Sequence, residues 1–220
     1  MTQLENEITS LKSEVISMWN LVELQLQKAK TAIVQFDRDL AREIVLKEKR
    51  VNAFELKIDR DCENIFALYC PVAIDLRFLL AVLKINNNLE RVGDIAEGIA
   101  KYIIESETVF DKHVYDVTEL LRMFDDSISI LVDARTAFEN EDTVLARSLF
   151  KRDEILDNIN KQAIDRVSGC IKENMEVMKD SLYIMSIIRK LERVGDQSKN
   201  IAEEIIFFVE AKVLKHQKGA

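Results

Sequence analysis

The chain reads as all-α, two tandem three-helix bundles with six long helices in total. Three observations predict this. It holds a single proline and five glycines in 220 residues, with 48% hydrophobic and 32% charged residues, which leaves little turn chemistry for a β-rich fold. Apolar residues recur at steps of three and four over long stretches, the period of an amphipathic helix. The hexapeptide Leu89-Glu90-Arg91-Val92-Gly93-Asp94 returns letter for letter as Leu191-Glu192-Arg193-Val194-Gly195-Asp196, so the second half repeats the first.

The first helix is carried by Leu4, Ile8, Leu11, Val15, Met18 and Val22 and continues, after one stutter, through Leu26, Ala29, Ile33 and Phe36. Asp37-Arg38-Asp39 supplies a cap, and a second stretch runs through Val51, Phe54, Ile58 and Ile65 to about Tyr69. Pro71 suits the first turn of a third helix reaching about Glu105, before a polar stretch from Ser106 to Lys112. The second half repeats the plan with helices at about Val114 to Phe138, Asp142 to Ile171 and Val177 to Val213. Asn140 to Asp142 forms its capping turn and Glu173 to Asp180 its last connection. Thirty helical residues span about 45 Å. The halves, 1–110 and 111–220, are therefore long bundles, and without a flexible linker they are expected to pack side by side as one unit.

Composition excludes several classes of function. A net charge of −8 and the lack of a basic block exclude a nucleic-acid binder. The charged N-terminal stretch is neither a signal peptide nor a membrane span, and no later apolar run is long enough to cross a bilayer, so a cytoplasmic protein is expected. Cys62, Cys70 and Cys170 show no CxxC spacing and read as buried free thiols. His113 and His216 fit no ligand spacing and read as surface residues.

The repeated hexapeptide carries the chemistry. Glu90 and Asp94, and again Glu192 and Asp196, stand four apart, one turn from each other on a helix face. Like charges there repel by roughly 0.2–0.5 kcal/mol, which raises the question of a shared cation. Gly93 and Gly195 cost about 1 kcal/mol each inside a helix, a cost offset if another helix or an ion comes close. The preceding helix of each half bears a comparable pair, Glu48 with Asn52 and Asp153 with Asp157. If adjacent helices run antiparallel, four oxygen-bearing side chains face one another in each half. Glu55, Asp59, Glu97, Asn160, Asn200 and Glu203 lie within one or two turns. Hard oxygen donors favour Mg²⁺, Mn²⁺, Ca²⁺ or iron over a thiolate-type zinc site. One ExxxD in so charged a chain reads as a solvated face; its exact duplication favours ion binding, since packing does not need the acidic residues. Arg91, Lys190 and Arg193 stand beside the pairs, and charge balance is a simpler role for them than phosphate binding.

The segments Glu48-Lys-Arg-Val-Asn52, Ile58-Asp59 with Cys62, Pro71 followed by Asp75-Leu76-Arg77, and the twin LERVGD segments with Asn200-Ile201 resemble the PhoU family, accessory regulators of phosphate-specific transport. The resemblance covers nearly the whole chain. It implies two three-helix repeats and a cytoplasmic regulator without enzymatic activity that restrains phosphate-starvation signalling. Its implied partners are a phosphate ABC transporter ATPase and a sensor histidine kinase, which would bring it to the membrane periphery; a homodimer is left open. The implied metal ligands are Glu48, Asn52, Glu90 and Asp94, then Asp153, Asp157, Glu192 and Asp196. The ion (iron, manganese, magnesium or zinc) is left open. Asn52 in place of a carboxylate, and Gly98 where the second half has Asn200, suggest weaker binding in the first half. The alternative is a carboxylate-bridged metalloenzyme on a ferritin-like bundle, which usually requires Glu-x-x-His on two helices. A purely structural scaffold is a third reading.

Overall fold

A computed structural model describes residues 2–214, so His216 lies outside the described residues. Among those described, seven α-helices and one 3₁₀ turn account for the secondary structure: α1 (Gln3–Gln35), α2 (Arg38–Tyr69), α3 (Ala73–Glu105), α4 (Lys112–Thr118), α5 (Leu120–Asn140), α6 (Thr143–Glu173), the turn Met175–Val177 and α7 (Met178–Glu210). No described helix is long and apolar enough to cross a membrane.

The α1–α2 and α5–α6 turns are built alike. Phe36 and Glu141 end their helices in the left-handed conformation, at φ 51° and 54°. The next residues, Asp37 and Asp142, donate their backbone N–H to the carbonyls of Ala32 and Ala137, each at 2.9 Å. Both aspartates then cap the following helix, accepting from the second and third residues beyond them. Pro71 differs from expectation: it lies before α3, whose N-cap is Val72, because Cys70 leaves α2 in the left-handed region and the chain must straighten before it can turn again.

The expected continuous helix from Val114 to Phe138 is broken. Glu119 takes φ 57° and separates α4 from α5. Its carboxylate meets Arg122 and Arg166 of α6, both at 2.6 Å, and the Thr118 hydroxyl donates to the carbonyl of Val114 at 2.6 Å. No glycine or proline marks the break, so apolar spacing alone runs through it. Seven helices thus stand where six were expected.

Helices α1, α2 and α3 pack on one another, as do α5, α6 and α7, while α3 against α7 and α1 against α5 join the groups. One apolar core runs through both. Trp19 of α1 is fully buried, donates its indole N–H to the Leu131 carbonyl of α5 at 3.2 Å and packs at 5.8 Å from the Phe138 ring. Phe78 and Phe208 complete that aromatic group with rings from α3 and α7. Polar ties cross the same seam: Arg135 to Glu23 at 2.9 Å and Lys84 to Glu204 at 2.9 Å. Cys62 and Cys170 are buried, but Cys70 is exposed, since it occupies the α2 terminus rather than a helix face. Burial pushes the Cys62 thiol up to about 12.

Candidate metal centres

Both hexapeptides lie in the middle of long helices, one on α3 and one on α7. Leu89, Val92 and Ala96, and likewise Leu191 and Val194, are turned into the core. That rotation places the acidic stripe one step round the helix, toward α2 in the first half and α6 in the second. The glycines lie at the contact. A Cβ on Gly93 would stand 3.0 Å from Glu48 Oε2 and 3.0 Å from Val51 Cγ1. A Cβ on Gly195 would come within 2.4 Å of Asp153 Oδ1 and 2.6 Å of Leu156 Cδ1. Glycine at each site lets a carboxylate of the neighbouring helix reach the backbone of the hexapeptide helix.

Gly195→Ala is therefore expected to destabilise the protein by about 1–3 kcal/mol, because Asp153 and Leu156 are both buried and must give way. Gly93→Ala meets contacts a few tenths of an ångström looser, and its gain in helix propensity offsets most of the strain. Urea unfolding of the two variants checks this; equal losses would mean that the glycines are not clearances for these carboxylates.

In the first half Glu48 is only 5% exposed. Its Oε2 accepts from the Gln25 amide at 3.4 Å, while Oε1 is buried without a hydrogen-bond partner. Burial, then the charge of Asp94, with smaller contributions from Glu97 and Glu90 and against the Gln25 hydrogen bond, pushes its carboxyl up to about 7. Glu90 is raised by burial and by Asp94 and Glu55, and Glu55 by burial and by Asp59 and Asp94. Six carboxylates, Glu48, Glu55, Asp59, Glu90, Asp94 and Glu97, thus crowd one another across α2 and α3. Asn52 is exposed, one turn beyond Glu48, and the coupling on α2 runs through Glu55 instead. Asn86 pins the two helices beside this group, its amide donating to the Glu55 carbonyl and to Asp59 Oδ1, each at 2.9 Å.

In the second half Asp153 takes the place of Glu48, 3% exposed and with Oδ1 unpartnered. Burial raises its pKa against the pull of Lys199, and Glu192 is raised by burial and by Asp196, Asp157 and Asp153. Lys199, which the spacing argument passed over, donates to Asp153 Oδ2 and, at 2.9 Å, to Asp196 Oδ1. Although burial opposes it, these bonds hold the ammonium well above its ordinary pKa. Its counterpart in the first half is Glu97, which binds Lys101 at 2.6 Å. Comparing the repeats position by position would have shown this reversal of charge.

The described side chains form no group of three His, Cys, Asp or Glu in ligating geometry. What they offer a cation differs between halves. Both halves have an orphaned buried carboxylate oxygen, and the first offers oxygen donors of the type that a hard divalent ion prefers with no ammonium hydrogen-bonded to Glu48. In the second, an ammonium already bridges two of the carboxylates. Arg91, Lys190 and Arg193 line an open cleft between α3 and α7 together with Asp94, Glu97 and Lys101. The side chain of His113 is 64% exposed, and its ring lies 3.8 Å from Glu173, away from both clusters.

Two helical groups with matching turns, each offering a buried carboxylate to a glycine of a repeated acidic hexapeptide, define a duplicated helical bundle with acidic helix faces. The sequence profile described as the PhoU domain matches residues 15–103 and 120–205. A PhoU homologue of Thermotoga maritima, named phosphate-specific transport system accessory protein PhoU homolog 1, is 32% identical over 96% of this chain and 90% of its own. The Escherichia coli accessory protein PhoU is 30% identical over 99% of this chain and 89% of its own. The crystal structure of PhoU from Pseudomonas aeruginosa superposes with a TM-score of 0.90 at 30% identity, covering 96% of this chain and all of that one. The chain belongs to the PhoU family.

Proposed function

We propose that the chain is a cytoplasmic regulator of phosphate uptake and a brake on phosphate-starvation signalling, acting with a phosphate ABC transporter ATPase and a sensor histidine kinase. The reading has it work as two three-helix units, 1–110 and 111–220, and bind metal ions through Glu48, Asn52, Glu90 and Asp94 and through Asp153, Asp157, Glu192 and Asp196. Membership of a family whose curated relatives are named as accessory proteins of phosphate-specific transport systems carries the regulatory part. The metal part is supported by Glu48, a buried carboxylate with an unpartnered oxygen among like charges.

The regulator has no turnover of its own in this reading. The described histidine, His113, lies apart from the acidic faces, unlike the Glu-x-x-His pairs of ferritin-like sites. Deleting the gene is expected to switch on phosphate-starvation genes in phosphate-replete medium; unchanged expression would refute the regulatory reading. Elemental analysis of protein purified without chelator tests the metal. Equal metal content in the parent and in Asp94→Ala/Asp196→Ala would refute the site. Metal-loaded protein is expected neither to hydrolyse phosphate esters nor to turn over ferrous iron. Robust turnover abolished by Asp94→Ala would favour the metalloenzyme instead.

A further inference from the structure

We propose that the second-half carboxylate site is occupied by a cation of the chain's own, the Lys199 ammonium, so that only the first half takes up a metal ion readily. This rests on the metal-binding reading above and goes beyond it by making the two sites unequal. Asp153 and Asp196 come from different helices, α6 and α7, and Lys199 holds one oxygen of each. A metal joining those helices would need the same two carboxylates. The Lys199 side chain is 31% exposed, so it covers the site from outside while Asp153 forms the floor, 4% exposed at its side chain.

The first half lacks this arrangement. Glu97 stands where Lys199 stands in the second half and adds a carboxylate instead of an ammonium. Lys101, one turn beyond on α3, is half exposed and binds the Glu97 carboxylate, and Lys190 of α7 feels the charges of Asp94 and Glu97 from across the cleft without bridging α2 to α3. Glu48 Oε1 and Asp153 Oδ1 are both buried and unpartnered, so the halves differ in the ammonium beside Asp153 and not in the orphaned oxygen. Counted across both helices, the first half sets Glu48, Glu55, Glu90, Asp94 and Glu97 around the site. The second sets Asp153, Asp157, Glu192 and Asp196 against Lys199, with Asn160 at the place of Glu55. The order of affinity is then the reverse of that suggested by Asn52 alone.

In the second half a metal ion must displace charge-assisted hydrogen bonds before it can bind, and such bonds are strong enough to weaken binding by about tenfold or more. The test uses the full-length protein stripped with chelator and titrated with Mn²⁺, reading bound ion by calorimetry and by the loss of the free-ion paramagnetic signal. In the parent, Asp94→Asn is expected to abolish the tight binding and Asp196→Asn to leave it unchanged. Lys199→Gln is expected to create a second class of sites, tightened about tenfold or more and removed by Asp196→Asn. Lys199→Arg keeps the cation and should behave as the parent. The two aspartate variants compare the halves without touching Lys199, so the inference stands or falls even if Lys199→Gln does not fold. Equal loss of tight binding in Asp94→Asn and Asp196→Asn would overturn the inference and leave the metal reading standing. No Mn²⁺ binding by the parent or by Lys199→Gln would overturn both.

Discussion

Trp19→Ala is expected to lower the unfolding free energy by about 3–5 kcal/mol, the range for deleting a large aromatic side chain from a packed core. Trp19 is fully buried, its ring packs on Phe138, and its indole N–H donates to the Leu131 carbonyl across the α1–α5 seam. Truncation removes the ring, opens a cavity between the halves and deprives that carbonyl of its indole donor. Urea unfolding should show the loss, and Trp19→Phe should recover much of it by refilling the volume without restoring the hydrogen bond. A loss below about 1 kcal/mol for the alanine variant would mean that the seam contributes little to holding the halves together.

The second large effect concerns Glu48. Its carboxyl has the ordinary value of 4.5 when unfolded and about 7 when folded. Below 4.5 it is protonated in both states and carries no penalty. Between 4.5 and 7 the unfolded chain releases the proton while the folded chain keeps it, so stability falls as pH rises; above 7 the whole cost of burying the charge is present. In chelator-treated protein Glu48→Gln is therefore expected to be more stable than the parent by about 2–3 kcal/mol at pH 8, with no such advantage at pH 4. Denaturant midpoints at the two pH values decide it. An advantage that does not shrink on acidification would show that packing, and not the buried charge, is responsible.

Much of the fold was legible in the sequence because a helix period of three to four, repeated over thirty residues, leaves few alternatives. The Asp37 and Asp142 caps were readable for the same local reason, a short side chain that satisfies the next helix's free N–H groups. The break at Glu119 was not, because its partner Arg166 lies on another helix. The expected start of α3 at Pro71 is two residues early, since a proline favours the start of a helix equally well from just outside it. Of the residues picked out by spacing, Glu48 feels the charges of Glu90 and Asp94, and Asp153 those of Asp157 and Asp196, whereas Asn52 is exposed to one side. Lys199 escaped a pattern made of carboxylates, and Glu55 was placed only within one or two turns, because its coupling to Glu90 crosses from α2 to α3 and depends on how the two helices pack.

The seam of α3 on α7 and α1 on α5 brings equivalent faces of the two halves together, as a two-fold axis does in a symmetric dimer. In a dimer of identical chains every substitution appears on both sides of that axis at once. Fusing the copies into one polypeptide lifts this constraint. A carboxylate at position 97 and an ammonium at position 199 can then coexist, as can a continuous helix α1 and an interrupted α4–α5. Division of labour between the halves is thus open to this chain in a way that it is closed to any homodimer of a single repeat.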